Sequence, residues 1–176
     1  MASIMSGQAA KAAYWSDAAA AIDGDDFDNP ATSVFVYLSL GLSEIARARV
    51  EEALTLGPNE PYPLSAQAMY LYDIGDRERA LAIARSALTM QLEDRWGSES
   101  VFLQLLQIEA IESGVFDEAL AWFRQRIPEV LGDEPELNAG NIIKAVDFAH
   151  LLLLNGDSSQ ASVLLNAIVR RYDELY

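Results

Sequence analysis

The sequence predicts an all-α protein built from repeated helix hairpins, and three observations lead there. A glycine followed five residues later by an alanine recurs as Gly41/Ala46, Gly75/Ala80, Gly114/Ala119 and Gly156/Ala161. Successive alanines of this set lie 34, 39 and 42 residues apart, the range in which stacked helical units repeat. Each glycine also separates two segments whose apolar residues recur at helical spacing.

Taken in order, the elements follow from that ruler. Stepping back 34 residues from the first pair gives Gly7/Ala12, so "SGQAAKAAYWSDAAAAI" reads as the second helix of an earlier unit whose first helix is missing. Residues 1–26 are therefore a half repeat with a linker, and the acidic "DGDDFDNP" at 23–30 is a turn. Four hairpins occupy 27–174, at about 28–58, 61–92, 98–131 and 138–173. The first pairs "ATSVFVYLSL" with "SEIARARVEEALTL"; the second pairs "YPLSAQAMYLYDI" with a segment carrying Ala80, Ala84, Ala87 and Leu88. The third pairs "SESVFLQLLQIEAIES" with "FDEALAWFRQRIPEVL", and the fourth "NIIKAVDFAHLLLLN" with "SSQASVLLNAIVRRY". The longer periods need extra chain, which "EDRWGS" and "GDEPELNAG" supply.

The glycine has a backbone reason. A helix that reverses within two or three residues ends in the left-handed conformation, which costs least without a β-carbon. Ser43, Asp76 and Asp157 stand where a cap can accept from the next helix, and Asp157 with Gln160 has capping-box spacing. Asp117 and Glu118 put negative charge into a first turn, where the helix dipole favours it. The alanine has a packing reason: antiparallel helices joined by so short a turn approach closely, and a small side chain permits it.

On these residues the chain resembles the tetratricopeptide repeat, or TPR, family. In "LGLSEIARARVEEALTLGP" the residues Gly41, Ala46, Val50, Ala53 and Pro58 fall where that motif has its turn glycine, small residue, large apolar residue, second small residue and closing proline. Gly114, Phe116, Ala119 and Phe123 match in the same way, although Arg126 replaces the second small residue there. The resemblance covers about 28–174. It implies a right-handed superhelix, a solenoid of antiparallel helix-turn-helix repeats, whose concave wall is one stripe of the first helices. Projected onto this chain, the stripe holds Phe35 and Ser39; Met69, Tyr72 and Asp73; Gln104, Ile108 and Glu112; and Asp147, His150 and Leu154. Each set shares one helix face.

Such a wall is apolar and acidic, and suits a peptide or helix of a partner protein with apolar anchors and basic flanks. The resemblance thus implies a non-catalytic interaction scaffold, a segment of a larger bacterial signalling or regulatory protein. The alternative is homotypic assembly into a homodimer or higher state through the groove or the terminal helix faces. TPR domains that clamp a chaperone's C-terminal carboxylate do so with lysines, an arginine and asparagines on this wall; here it offers acids and no lysine, so no such clamp is expected.

Composition narrows the chemistry further. With 27 acidic and 12 basic residues the chain carries −15, and Lys11 and Lys144 are its two lysines. A surface that negative repels phosphate backbones and anionic membranes, so nucleic acid is not an expected partner. There is no cysteine, which removes disulfides and thiolate chemistry and leaves the redox compartment open. Runs such as "FAHLLLL" are too short for a membrane span, and "MASIMSGQAAKAAYW" lacks signal-peptide form. The expectation is a soluble segment, cytoplasmic rather than secreted. The single histidine, His150, follows Asp147 by three residues, and the two can hydrogen-bond on one face. No motif places a nucleophile beside them, so no catalytic residue is assigned. One histidine with scattered carboxylates has no metal-ligand spacing, and "DGDDFDNP" fails the calcium-loop pattern because Phe27 takes a ligand place. No cofactor or metal is expected. Of the tryptophans, Trp15, Trp96 and Trp122, the loop residue Trp96 is the candidate interface marker.

Overall fold

The structure is a computed structural model that describes residues 9–22, 26–90 and 97–175. Gly7, the first half of the acidic stretch at 23–25, and Trp96 lie outside the described residues. The fold is all-α, and among the described residues there is no strand. The helices are α1 (Ala9–Ile22), α2 (Asp28–Ser39), α3 (Ser43–Leu56), α4 (Pro61–Asp73), α5 (Arg77–Thr89), α6 (Ser98–Ser113), α7 (Asp117–Arg126), α8 (Ile142–Leu154) and α9 (Ser158–Leu175), with a 3₁₀ turn at Pro128–Val130. The chain divides into two compact units, Met1–Leu105 and Leu106–Tyr176.

In the first unit α2 packs on α3 and α4 on α5, and the two hairpins meet through α2 and α3 against α4. α1 packs on α2. Ala31, Val34, Tyr37, Ala46, Val50, Ala53, Tyr62 and Ala66 form the core, with Phe35 and Leu38 against its edge. Helix α4 starts where Pro61 can stand without an N–H to satisfy, behind an extended Glu60. Two buried serines bond within their own helices, Ser33 donating to the Asn29 carbonyl (2.9 Å) and Ser65 to that of Tyr62 (2.8 Å), and the Ser33 hydroxyl also meets Ser16 of α1.

The hairpin turns show why the glycines recur. Gly75 has φ +88°, its N–H donates to the Tyr72 carbonyl, and the Asp76 N–H reaches back to Leu71 (2.9 Å). That is the paired closure of a Schellman turn, which needs the left-handed residue. Gly41 and Gly156 are closed by the same two bonds, whereas Gly114 has a single bond to the Ala110 carbonyl (2.9 Å). The looser turn spends one more residue before the next helix, which begins at Asp117. The alanines five residues on, Ala46, Ala80, Ala119 and Ala161, are all buried, as close helix approach requires.

Two sequence expectations change. Asp157 does cap α9, accepting from the Gln160 N–H (3.2 Å), but Asp76 gives its carboxylate to Arg79, and Ser43 lies inside α3 with its hydroxyl donating to Asp73. The second helix of the third hairpin also stops early. Pro128 has no N–H and forces Ile127 out of helical conformation (φ −131°, ψ 56°), so α7 ends at Arg126.

In the second unit α7 packs on α8, and α8 on α9. Phe123 and Phe148, both fully buried, stack at 5.9 Å. The connection from 131 to 141 is held by Asn141, itself 3% exposed. Its amide nitrogen donates to the Glu129 carboxylate (2.8 Å) and the Glu136 carbonyl (3.0 Å), and its oxygen accepts from the Asn138 N–H (2.9 Å).

Candidate functional site

Because α8 reads Ile-Ile-Lys-Ala-Val-Asp-Phe-Ala-His-Leu-Leu-Leu-Leu, it is apolar around most of its circumference. One side does what such a helix must: Ala145, Phe148, Ala149, Leu151 and Leu152 are buried against its neighbours. The opposite side stays open. Ile143 is 64% exposed, and Val146, Leu153 and Leu154 stand out with it around the exposed His150. On α6, Ile108 and Ile111 are exposed in the same way, followed by Val115 in the turn.

Asp147 is the acid in this aliphatic setting, and it is half-buried. Gln107 of α6, nearly fully buried, reaches the same residue: its amide nitrogen donates to the Asp147 backbone carbonyl (3.4 Å). Burial pushes the Asp147 carboxyl above its ordinary range, and the Gln107 hydrogen bond and the charge of His150 pull it back only in part. Gln107 thus joins α6 to α8 at the residue that carries the carboxylate.

The other expected wall residues are placed differently. Phe35 is half-buried, stacked at 5.9 Å on Tyr62 and packed against the first unit's core. Ser39 is exposed with its hydroxyl turned to its own helix, on the Val36 carbonyl. Met69 is half-buried; Tyr72 is half-buried with the Arg77 guanidinium 5.1 Å from its ring centre, and Asp73 is exposed and accepts from Ser43 (3.3 Å). Gln104 is half-buried and Glu112 exposed, both on α6. Of the wall set, then, Asp147 and His150 share one face of α8, where the histidine's charge favours the carboxylate, and the Asp147 carbonyl accepts from Gln107, which the stripe did not contain. Sequence reasoning also missed Ile111, Val115, Ile143, Val146 and Leu153. For Ile143, Val146 and Leu153 the signal was present: "NIIKAVDFAHLLLLN" holds more apolar side chains than one buried face can use.

Elsewhere a cleft of about 420 Å³ lies between the 134–137 segment and α9, with Glu134, Arg170 and Arg171 at its edge. A second, of about 340 Å³, lies on the first unit, with Val50, Leu54 and Leu71 between Arg47, Glu51 and Arg79. Neither juxtaposes a nucleophile with a base. Among the described residues no group of three or more His, Asp or Glu side chains could hold a metal ion, and no helix is long and apolar enough to cross a membrane. The outward charges are partly structural. Arg49 is tied to Asp17 of α1 (2.8 Å) and Glu52 (2.7 Å), rather than merely solvated as its position in a charged run suggests.

Against known proteins, the whole-chain likeness is to solved TPR-containing structures. One, from work on the functional characterization of Pseudomonas aeruginosa pilF, aligns over 96% of this chain and 71% of its own length at TM-score 0.66 and 16% identity. The fold is TPR-like. The crystal structure of MamA agrees, with TM-score 0.57 and 11% identity over 98% of this chain and 93% of that one. No protein-family model matches the sequence, and no curated protein matches it. The TPR-like hairpins therefore lie in the backbone and the Gly/Ala spacing, with little of the side-chain pattern shared.

Proposed function

We propose that this chain is a non-catalytic protein-interaction scaffold, which holds a helical or extended segment of a partner protein on the exposed faces of its first helices. The observation that carries the reading is α8. A helix that has already buried five side chains still shows Ile143, Val146, Leu153 and Leu154 to solvent. Contiguous exposed aliphatic surface of this kind marks interaction sites. Ile108 and Ile111 extend the aliphatic surface to α6, and a TPR-like fold is compatible with such a role. Steering acids such as Glu112 and Asp147 suit a basic, amphipathic partner.

The test is affinity capture with the purified chain, followed by pairwise binding of each captured protein to wild type and to a Val146→Asp/Leu153→Asp variant of unchanged helicity. Binding that drops on the variant, and associates more slowly at raised salt, supports the reading. Equal binding to both proteins refutes it.

A second reading, homotypic assembly, is favoured by one feature of α1: Tyr14 and Trp15 are both exposed and meet edge-to-face at 5.2 Å. Light scattering decides it, since a strict monomer at high concentration leaves that aromatic pair without a copy to meet.

A further inference from the structure

We propose that Asp147 sets the specificity of this surface by accepting one cationic side chain, an arginine or a lysine, that the partner carries between aliphatic residues. The inference rests on the binding role just given to α6 and α8 and names the chemistry that fills it. The aliphatic side chains of the face alone would accept any greasy segment. Asp147 is different in kind: an ionisable acid set half-buried among Ile143, Val146, His150 and Leu154 on one helix face. It is also held. The nearly fully buried Gln107 donates to its backbone carbonyl (3.4 Å), so this turn of α8 is fixed on α6 before any partner arrives. Acceptors on a fixed turn lose less on binding than mobile ones.

Charge complementarity names the occupant. A carboxylate that has lost part of its water attracts a cation more strongly than a fully solvated one does, and a neutral or acidic segment would leave it uncompensated. The molecule as a whole, at −15, draws basic segments and repels acidic ones. Lys144 and His150, three residues to either side of Asp147, are basic, while Ile143, Val146, Leu153 and Leu154 leave exposed aliphatic surface around them, so the incoming cation is one whose neighbours on the partner are aliphatic. The recognised segment therefore reads as one basic residue with large aliphatic residues three or four positions to either side, if helical, or two positions, if extended.

A displayed library of random twelve-residue peptides, selected separately on wild type, Asp147→Asn and Asp147→Arg, tests this. Wild type is expected to enrich peptides with an arginine or lysine at one fixed place among aliphatics. Asp147→Asn keeps the aliphatics and loses the basic preference, and Asp147→Arg selects an acid there instead. A synthetic peptide from the wild-type pool should bind Asp147→Asn at least about tenfold more weakly. Circular dichroism melts confirm that all three proteins are folded. Aliphatic peptides enriched without a basic residue, or a basic preference that survives in Asp147→Asn, overturn the role of Asp147 while leaving the surface a binding site. Enrichment of nothing by wild type, or a stable dimer burying α8 by light scattering and crosslinking, overturns the binding role itself.

Discussion

In the first unit α1 is tied to the first hairpin by polar contacts, for Asp17 accepts from both Arg49 (2.8 Å) and the Tyr37 hydroxyl (2.7 Å). In the second unit α7 and α8 meet through the stacked rings of Phe123 and Phe148, and the long connection between them hangs on Asn141. The difference tracks the period. Where the alanines are 34 residues apart, a turn and Pro61 suffice to launch the next hairpin; where they are 42 apart, the added chain carries carbonyls and amides that must find partners, and Asn141 is the partner. The 42-residue spacing is thus matched by a buried polar anchor, while α1 is tied to the first hairpin by partly exposed contacts. The exposed faces differ as well. Phe35, Met69 and Tyr72 are half-covered within the first unit, whereas α8 leaves its aliphatic residues open.

The largest effect that tests this contrast is Phe148→Ala. Emptying the stacked pair should cost about 3–5 kcal/mol, as large aromatic truncations in cores do, read by urea unfolding. A cost under about 1 kcal/mol would mean that the aromatic stack does not hold α7 to α8.

Next comes Asn141→Ala, which strands the Glu136 carbonyl and the Asn138 N–H. It should cost about 1–3 kcal/mol and raise hydrogen exchange across 131–141 more than in α8. Faster exchange spread evenly over the second unit would sharpen the comparison differently, making Asn141 part of the core rather than the anchor of one connection.

Asp17→Asn is smaller. The Arg49 and Asp17 side chains are 25% and 48% exposed, so solvent screens their attraction, and the loss should be about 0.5–1 kcal/mol and shrink in high salt. Burial raises the Tyr37 hydroxyl above its ordinary range, with the bond to Asp17 adding to it. The tyrosine thus stays protonated and can still donate to an asparagine. An effect as large as that of Asn141→Ala, insensitive to salt, would erase the distinction between surface ties and buried anchors.

Much of this was legible beforehand where one physical demand has one chemical solution. Reversal in two residues needs a left-handed backbone, so Gly41, Gly75, Gly114 and Gly156 marked the turns, and close approach needs a small side chain, so Ala46, Ala80, Ala119 and Ala161 marked the hairpins. Caps were less legible because several acceptors compete: Asp76 serves Arg79 and Ser43 serves Asp73. Pro128 was visible, but its effect depends on backbone angles at Ile127 that apolar periodicity does not report. The candidate site was half legible. The stripe that the TPR resemblance implies held Ile108, Asp147, His150 and Leu154, but could not tell that Gln107 reaches the Asp147 backbone, since a buried glutamine and a surface one are written alike.

Asp147→Asn gives the smallest expected effect on stability and the one with opposite sign. In the unfolded chain the carboxyl titrates in its ordinary range; in the folded chain burial raises it. Below the unfolded value the acid is protonated in both states and costs nothing. As pH rises through the folded value the folded chain gives up a proton against burial, so the cost is fully present above that value. Asparagine keeps an oxygen for Gln107 and never ionises. The variant should therefore melt at or above wild type at pH 7, with the gap closing as pH falls below the carboxylate range. Lower stability at pH 7 would mean that the Gln107 bond outweighs burial and that the carboxylate serves the joint between α6 and α8. A gain would leave an acid that the fold does better without, among the exposed aliphatic residues of α8, where a partner's cation can offset its cost.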